Sequence, residues 1–361
     1  MRIAYLMRHD ISKNDGVTKK ILDQVTYWKN AGHQVEVFCY TPKKCHSILD
    51  ANQYPIRTPL KNKFLLETNL LSDLSIFNPD VVYYRYSTLN RTLWKILKKY
   101  KIVTEVNTDD MNESKMLLYK EKNLKSFARY ITFKLFRSKI LSSTLGIITV
   151  TNEIAQLPTI QKFQKPTKCI PNSINLSNYF PLKDSSPCVE KVGLFFMGSP
   201  NQAWHGVDII VNLALELPQY DFHIVGMTGE NTHNLFWYGY LEKDEYLHIL
   251  SKCHICIGTL ALMRKQMKEA CPLKVREYLA YGYPTIIGYE DVSFINRDAS
   301  YILKLDSSLP NLTFIQDICN FVEQYKEYTV PKSLIQHIDI KITEDKRLEF
   351  IQNCIDYECK I

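Results

Sequence analysis

The sequence lacks any run near the roughly 18 consecutive apolar residues that a membrane-spanning helix needs. A charged segment followed by an apolar core and a cleavage site, as in a secretory leader, is also missing ahead of its ten cysteines. We therefore expect a soluble protein of the cytoplasm, attached at most peripherally to the inner face of a membrane. Its cysteines are expected to stay reduced in that compartment.

Motifs of the common metal and redox sites are scarce as well. Cys253 and Cys256 form the one Cys-x-x-Cys pair, inside the apolar run CHICIG, and no second pair or nearby histidine pair completes a zinc site. A buried strand is the better interpretation of that run. No Gly-x-Gly-x-x-Gly turn occurs, which disfavours a nicotinamide-dependent oxidoreductase. We expect no cofactor and no metal.

The composition is that of a soluble globular protein. The 361 residues are enough for two domains of about 100 to 200 residues each. A hydrophobic fraction of 45% and a charged fraction of 23% exclude wholesale disorder. The formal net charge of +7 favours anionic partners, so nucleotides, acidic membranes and nucleic acid are all possible on charge alone.

Hydrophobic periodicity predicts alternating strands and helices from the start of the chain. A buried strand over residues 1–7 precedes a helix that ends at Gly32, and a second strand follows over residues 34–40. Strand, helix and strand in this order build a parallel sheet. Further apolar runs typical of strands lie at 80–84, 102–106 and 146–151.

The same alternation starts again at the strand VGLFFM and continues to the strand PTIIG. A stretch rich in Asn, Ser and Pro before it marks a linker near residue 185. We therefore expect an α/β fold of two facing Rossmann-like, doubly wound domains, with ligand between them at the carboxyl ends of the strands. The expected domains are 1–185 and 186–340, with a C-terminal helix at 341–361 that packs back on the first domain.

The most informative segment is EACPLKVRE, from Glu269 to Glu277. Pro272 suits the first position of a helix, which would leave the N–H groups of the next three residues free to bind an anion. The two carboxylates bracket that anion, and each can accept two hydrogen bonds from sugar hydroxyls. By spacing alone, two Glu residues eight apart also fit a solvated helix face.

With its flanks, the segment resembles the signature of the retaining, family-4-like glycosyltransferases of the GT-B fold. The matching residues are Glu269, Pro272, Glu277 and the Gly-Tyr-Pro at 282–284. The resemblance implies that Glu269 binds the donor sugar at the reacting centre and that Glu277 binds the nucleotide ribose. The residues implied to bind the diphosphate at the helix start are Cys271, Pro272, Leu273 and Lys274.

Other parts of the chain carry the resemblance further. The Asp-Gly-Val at 15–17 resembles the family's Gly-rich loop, so N–H groups around Gly16 are expected near the donor phosphate, and a simple turn with a helix cap is the alternative. The stretch FWYGYLEKDEYLHIL is similar to the region whose backbone meets the nucleotide base. It implies base contacts at Tyr240 and Leu241.

The chain departs from the family at GSPNQAWHG, where an Arg and a Lys usually bind the diphosphate. Ser199 and His205 stand near those positions, and His205 fits either a phosphate donor or a packed side chain. A diphosphate leaving group still requires cations or oriented donors. The expected substitutes lie close to the motif, with Lys274 preferred, then Arg264, and with Lys265 and Lys268 as further candidates.

Polar residues also follow the strand predicted at 102–106. Where many relatives carry a His that touches sugar and acceptor, this chain has Asn107, so the resemblance makes Asn107 and Asp109 acceptor-side catalytic candidates. The adjacent Asp109 and Asp110 fit either a metal site or a cap on the next helix. We expect the cap, because this fold usually needs no metal.

A basic and aromatic segment lies between Lys122 and Lys139, and no acidic residue occurs from 122 to 152. It is a candidate surface for anionic lipid. Its apolar residues do not form one clean helical stripe, so part of it is expected to pack within the domain. Nucleic-acid binding is not expected, because no recognised module surrounds the segment. Its basic residues are Lys122, Lys125, Arg129, Lys134, Arg137 and Lys139.

The resemblance implies a retaining transferase that moves a sugar from a UDP- or GDP-sugar to a glycan or lipid-linked glycan, in bacterial surface polysaccharide assembly. The first domain would bind the acceptor and the second the donor. A donor phosphate oxygen would take the proton of the acceptor hydroxyl, so no dedicated general base is required. A nucleotide-sugar 2-epimerase and a catalytically inert binding subunit of the same fold are the alternatives.

Overall fold

The chain forms two compact units. The first is Met1–Asn172 together with Ile340–Ile361, and the second is Ser173–Asp339. The linker predicted near residue 185 lies outside the described residues, and the chain leaves the first unit after Asn172. The computed structural model describes residues 1–13, 15–56, 65–88, 90–182, 191–306 and 314–358.

The described part of the first unit contains a seven-stranded parallel sheet. Its strands are β1 (Arg2–Arg8), β2 (Gln34–Thr41), β3 (Asn52–Pro55), β4 (Val81–Arg85), β5 (Ile102–Val106), β6 (Gly146–Thr149) and β7 (Thr167–Cys169). They lie in the order β3-β2-β1-β4-β5-β6-β7. The direction of strand addition reverses between β1 and β4, so the carboxyl ends of these two strands form the switch point at which such sheets bind ligands.

Helices connect these strands and cover both faces of the sheet, which explains why the inner strands are buried on both sides. The first helix shows how its ends are encoded: Asp15 caps it by accepting from the Thr18 N–H at 2.9 Å, and Gly32 follows its end at a φ of +86°. The helices are α1 (Gly16–Asn30), α2 (Thr68–Phe77), α3 (Arg91–Lys99), α4 (Asp110–Glu121), α5 (Leu124–Ser143), α6 (Asn152–Gln156), α7 (Pro158–Gln161) and the last helix of the chain (Ile340–Glu358).

The last helix belongs to the first unit and completes its core. Ile351 and Cys354 are buried in one hydrophobic cluster with Trp28 and residues of β1. Gly146, at the start of β6, permits this close packing, because a Cβ there would lie 2.5 Å from the Cys354 sulfur. The hydrophobic core of the first unit is therefore assembled from both ends of the chain.

The second unit contains a six-stranded parallel sheet with the order β10-β9-β8-β11-β13-β15 and a separate pair, β12 and β14. The strands are β8 (Val192–Met197), β9 (Tyr220–Val225), β10 (Leu235–Trp237), β11 (Ile255–Ile257), β12 (Glu269–Ala270), β13 (Thr285–Ile287), β14 (Glu290–Asp291) and β15 (Ile302–Lys304). Here the direction of strand addition reverses between β8 and β11. This unit thus has its own switch point.

Three helices of the second unit connect its strands, as predicted, and a fourth follows the last strand. They are α8 (Val207–Glu216), α9 (Lys243–Leu250), α10 (Leu273–Ala280) and α11 (Ile315–Tyr325). The last helix of the chain, Ile340–Glu358, belongs to the first unit and is called α12. Single turns of 3-10 helix lie at Leu176–Asn178, Ala203–His205 and Leu262–Lys265, with a longer one at Lys332–Ile338.

The two parallel sheets confirm the α/β, Rossmann-like prediction. Cys253 and Cys256 are buried free thiols in and beside β11. The strand predicted over FWYGY stops at Trp237, because the chain turns at Gly239, whose φ is +68°. No described helix is long and apolar enough to cross a membrane.

Candidate functional site

The start of α10 presents backbone donors at the switch-point edge of the second sheet. Pro272 is the N-cap residue, one position earlier than the first helical position predicted for it. The Val275 N–H donates to the Pro272 carbonyl at 3.2 Å, so it is not the free donor that the sequence predicted. Among the described residues, the N–H groups of Leu273 and Lys274 have no acceptor. Two oriented donors therefore remain for an anion.

The Lys274 side chain extends from the start of α10 to the end of β8. Its Nζ donates to the carbonyl of Met197, the last residue of β8, at 3.1 Å and lies 4.1 Å from the centre of the Phe196 ring. No carboxylate of the described residues pairs with it. Burial lowers the pKa of Lys274 to about 7. A partly buried cation without an acid partner is thus held at the carboxyl end of β8.

His205 also packs against the end of β8. Its ring lies edge-on to Phe196, with ring centres 5.6 Å apart. Burial and the charges of Lys274 and Lys265 lower the pKa of His205 to about 3, so the ring is neutral near pH 7. His205 therefore packs against Phe196 and supplies no positive charge near pH 7. Ser199 lies close by in sequence and is exposed.

Two glycines at this edge allow the residues after β8 and after β9 to pack closely against each other. Gly198 follows β8, and a Cβ there would lie 2.7 Å from Nδ1 of His205. Gly226 follows β9 at a φ of +91°, and a Cβ there would overlap the Gly198 carbonyl oxygen. Side chains are thereby kept off the backbone at this edge of the sheet.

Arg264 is held by an ion pair. Its two terminal nitrogens donate to the Asp208 carboxylate at 2.8 and 2.7 Å, and one of them also donates to the Ala203 carbonyl. Nearby, the Lys265 ammonium lies 3.7 Å from the centre of the Trp204 ring. Of the two preferred substitutes for the missing Arg and Lys, Arg264 is committed to Asp208, and Lys274 is the one without an acid partner among the described residues.

The two motif carboxylates lie on either side of the α10 start. Glu269 is in β12, which pairs with β14 so that Glu269 stands opposite Glu290. Glu277 lies on α10 itself and accepts from the Tyr246 hydroxyl at 2.5 Å. Burial, together with this contact to Glu277, raises the pKa of Tyr246 above its ordinary value. Cys271, between the two carboxylates, is buried.

Tyr246 is a site residue that the sequence analysis did not single out. It lies on α9, in the stretch where base contacts were predicted, and the signal available was its place on the helix that follows Tyr240 and Leu241. Tyr240 is 76% exposed and Leu241 is half-buried. These two therefore lie at the surface of the unit.

In the first unit, the Asp-Gly-Val segment forms the start of α1. Gly16 is exposed as the first helical residue, and the preceding Asp15 caps the helix and contacts His9 Nε2 at 3.0 Å. Both functions predicted for the segment remain compatible with this geometry, since the cap leaves Gly16 open to solvent.

Asn107 and Asp109 follow β5 at the same edge of the first sheet. Asp109 caps α4 by accepting from the Asn112 N–H at 3.1 Å, and Asp110 is paired with Arg137 at 2.8 Å. Asn107 donates to Glu105 Oε2 at 3.2 Å. Within the described residues there is no group of three or more His, Cys, Asp or Glu side chains arranged to hold a metal.

Helix α5 carries much of the basic and aromatic segment and shows an exposed apolar stripe. Leu124, Phe127, Ile131 and Leu135 are exposed and recur at spacings of three and four residues, which places them on one face. Phe136 is exposed on a different face of the helix, and Phe133 packs against Tyr86, so part of the segment packs within the domain as expected. Arg137 is buried with Asp110 and cannot face lipid, and the side chains of Lys125 and Arg129 lie outside the described part of the chain. The exposed cations described are Lys122, Lys134 and Lys139.

Comparison with known proteins identifies the fold. No protein-family model and no curated protein sequence matches the chain. The solved structures that resemble it include sucrose-phosphate synthase from Thermosynechococcus elongatus, with a TM-score of 0.71, 11% identity, and coverage of 98% of this chain and 99% of that one. The lipopolysaccharide outer core galactosyltransferase WaaB has a TM-score of 0.65 and 11% identity over 99% of both chains.

An alpha-glucosyltransferase in complex with UDP has a TM-score of 0.64 and 12% identity, over 97% of this chain and 99% of that one. These proteins are glycosyltransferases of the GT-B fold, and the chain has that fold. The fold expected from the resemblance is therefore confirmed.

Proposed function

We propose that this protein is a retaining glycosyltransferase that uses a nucleotide diphosphate sugar as donor. The observation that carries the proposal is the start of α10, where the segment from Glu269 to Glu277 supplies two N–H donors and the Lys274 ammonium at the end of β8. This set matches the parts of one ligand: a diphosphate for the donors and the cation, and hydroxyl groups for the carboxylates.

Each residue has a defined part in the proposed reaction. Lys274 and the α10 N–H groups stabilise the charge that develops on the diphosphate as the sugar leaves. Glu277, oriented by Tyr246, accepts from the ribose hydroxyls, and Glu269 accepts from hydroxyls of the sugar. His205 supplies at most one neutral hydrogen bond. A donor phosphate oxygen takes the proton of the acceptor hydroxyl.

The proposed acceptor is a glycan or lipid-linked glycan in bacterial surface polysaccharide assembly. Two findings support this choice of donor and acceptor class. One solved structure of the same fold contains UDP, and another is a galactosyltransferase of the lipopolysaccharide outer core. UDP and GDP are the first nucleotides to test.

Calorimetric titration with UDP and GDP tests the donor site directly. At least one should bind the wild-type protein, and Lys274→Met should weaken that binding tenfold or more. Lys252→Met is the matched control, because Lys252 is an exposed lysine of the same unit. Failure of every nucleoside diphosphate to bind would overturn the proposal.

Product analysis then separates the proposed transferase from its alternatives. NMR of the product should show the anomeric configuration of the donor retained in the new bond. Release of a 2-epimerised sugar without acceptor would identify an epimerase instead. Binding of a UDP- or GDP-sugar with no turnover, not even slow hydrolysis, would identify an inert subunit.

We also propose that the exposed stripe of α5 contacts an anionic membrane. Apolar side chains flanked by the exposed Lys134 and Lys139 combine hydrophobic insertion with attraction of about 1 kcal/mol per cation. Leu124→Ser with Leu135→Ser should reduce binding to phosphatidylglycerol vesicles at low salt, where screening is weakest. Leu215→Ser, at an exposed leucine of the second unit, is the control. Equal vesicle binding by the two variants would exclude the stripe as a membrane-binding surface.

A further inference from the structure

A cluster of buried ionised side chains lies beneath the switch-point edge of the first sheet. Glu105, near the end of β5, has a side chain that is fully buried, and Lys20 of α1 donates to its Oε1 at 2.9 Å. Arg85, the last residue of β4, donates to Oε2 at 3.2 Å, and Arg347 of α12 to Oε1 at 3.3 Å. With Asn107 on Oε2, the carboxylate accepts from four donors and its pKa is lowered far below the ordinary range.

The cluster contains more positive than negative charge. Glu344 of α12 is the second carboxylate, and it is bonded to Arg347 at 2.9 Å, with both side chains buried. Glu344 thereby neutralises Arg347. Lys20 and Arg85 are left to share Glu105, so one positive charge has no counterion within the cluster.

The surplus charge lies where it is open to a ligand. Lys20 is almost completely buried, whereas the Arg85 side chain is 18% exposed at the carboxyl end of β4. Arg8, at the end of the neighbouring β1, adds a further exposed cation at the same switch point and contacts Thr88. Parallel sheets bind ligands at this position, and a charge held in low-dielectric surroundings is weakly screened.

The acidic side chains near this edge have other partners. Asp10 accepts from Ser12 and Asp15 contacts His9. Asp109 caps α4, and Asp110 is paired with Arg137. None of these four carboxylates pairs with Arg85, whose ion-pair partner is Glu105, so the guanidinium is available to an anion from outside the chain.

We propose that Arg85, supported by Lys20 and Arg8, binds a phosphate group carried by the acceptor. The guanidinium presents several N–H donors in a planar fork that matches phosphate oxygens, and Glu105 fixes one of its nitrogens. The inference rests on the proposed transferase function, and it adds the chemistry of the acceptor. A soluble sugar phosphate and a phospholipid or lipid-linked phosphate share the group that is recognised.

Binding of glycerol 1-phosphate in the presence of saturating UDP tests the site. Calorimetry should show binding to the wild type, at least fivefold weaker binding to Arg85→Gln, and intermediate binding to Arg85→Lys, which keeps the charge but loses the planar fork. Arg297→Gln, at an exposed arginine of the second unit, should bind as the wild type does. Equal affinities for wild type and Arg85→Gln, or no binding at all, would overturn the proposal.

A measurement on the wild-type protein covers the case in which Arg85→Gln does not fold. Phenylglyoxal modifies accessible arginines, and glycerol 1-phosphate should protect Arg85 but not Arg297, as mapped by mass spectrometry. Equal modification of Arg85 with and without the phosphate would refute the site.

Two comparisons identify the source of the phosphate. Tighter binding of dihexanoyl phosphatidic acid than of glycerol 1-phosphate indicates a lipid-borne group, and the reverse indicates a soluble sugar phosphate. Competition by UDP for the Arg85 site would assign it to the donor and overturn the acceptor proposal. Failure of UDP and GDP to bind anywhere would instead refute the transferase function itself.

Discussion

Tyr246 and Glu277 form the best-defined side-chain contact of the candidate donor site. The 2.5 Å hydrogen bond fixes the carboxylate on α10 from the neighbouring α9. An oriented carboxylate loses less freedom when it accepts from ribose hydroxyls, so the contact should contribute to nucleotide affinity.

Removal of the two motif carboxylates should affect different steps. Glu277→Ala should weaken nucleoside diphosphate binding by about 1.5 to 3 kcal/mol, as for a charged hydrogen-bond acceptor, and mainly raise the donor KM. Glu269→Ala should lower kcat more than it weakens diphosphate binding, because the sugar changes shape and charge in the transition state. Calorimetry and steady-state kinetics of both variants provide the measurement. Equal losses of diphosphate affinity would contradict the assignment.

Tyr246→Phe tests the orientation of Glu277 without removing the carboxylate. We expect a loss of diphosphate affinity smaller than that of Glu277→Ala, about 0.5 to 1.5 kcal/mol, since one hydrogen bond is removed. In the double variant the two effects should not add, because both act through one carboxylate. Additive losses would show that Tyr246 acts elsewhere.

Lys274 should make the free energy of unfolding depend on pH. Its folded pKa of about 7 is below the unfolded value of 10.5, so the unfolded chain binds more protons between these two pH values. The free energy of unfolding should therefore rise with pH across that window, and the penalty for burying the charge is fully present below it. Lys274→Met should remove this slope and stabilise the protein near pH 6, by about 1.4 kcal/mol for each pKa unit of the depression.

Urea unfolding of Lys274→Met and wild type at pH 6 and pH 9 measures this difference. Diphosphate binding should show the opposite preference, weakening in the wild type as pH rises above 7, because the ligand requires the charged ammonium. A variant that binds diphosphate less well yet unfolds at higher urea near pH 6 is the expected combination. Loss of both binding and stability would indicate a structural lysine.

At the scale of elements, Asp109 has a defined role as the cap of α4. Asp109→Ala should lower the free energy of unfolding by about 1 kcal/mol, whereas Asp109→Asn should retain most of it, because Asn also caps. Urea unfolding measures both. If Asp109→Asn keeps stability but loses transferase activity, the carboxylate also serves the acceptor side.

Turnover that is abolished by EDTA and restored by Mg²⁺ would reveal a metal requirement.

The elements were predictable where local sequence determines them. Strands such as β5 and β8 are apolar runs long enough to be recognised, and Gly32 marks the end of α1. Strands β3, β7 and β15 were missed: each has three or four residues, and β3 and β7 are largely polar, whereas the equally short β11 and β13 lie in apolar runs. Their pairing is determined by neighbouring strands in the sheet.

The candidate site likewise combines local features, which the sequence predicted, with contacts between distant residues, which it did not. The motif from Glu269 to Glu277 is local, so its spacing was readable from the sequence. The Tyr246 contact and the bonds of Lys20, Arg85 and Arg347 to Glu105 join residues that are 20 to 242 positions apart. No period or motif connects such residues, and only the fold brings them together.

At the scale of the whole molecule, the first unit depends on both ends of the chain. Leu348, Phe350, Ile351 and Cys354 of α12 are buried in its core, and each large apolar side chain contributes about 1.5 to 3 kcal/mol. Their combined contribution is comparable to the 5 to 15 kcal/mol that stabilises a typical domain. Arg347 and Glu344 add buried polar bonds to Glu105 and Trp28.

A chain that ends at Asp339 should therefore lose the first unit and keep the second. Hydrogen exchange should show β1, β4 and β5 unprotected, while β8 and α10 stay protected and UDP or GDP still binds, because the second unit is continuous from Ser173 to Asp339. Deletion of residues 359–361 alone is the control and should leave both units protected. Protection of β1 in the truncated chain would mean that α12 is dispensable. The acceptor side, like the donor side, would then be independent of α12, and Arg347 would not be needed to hold Glu105 and Arg85 in place.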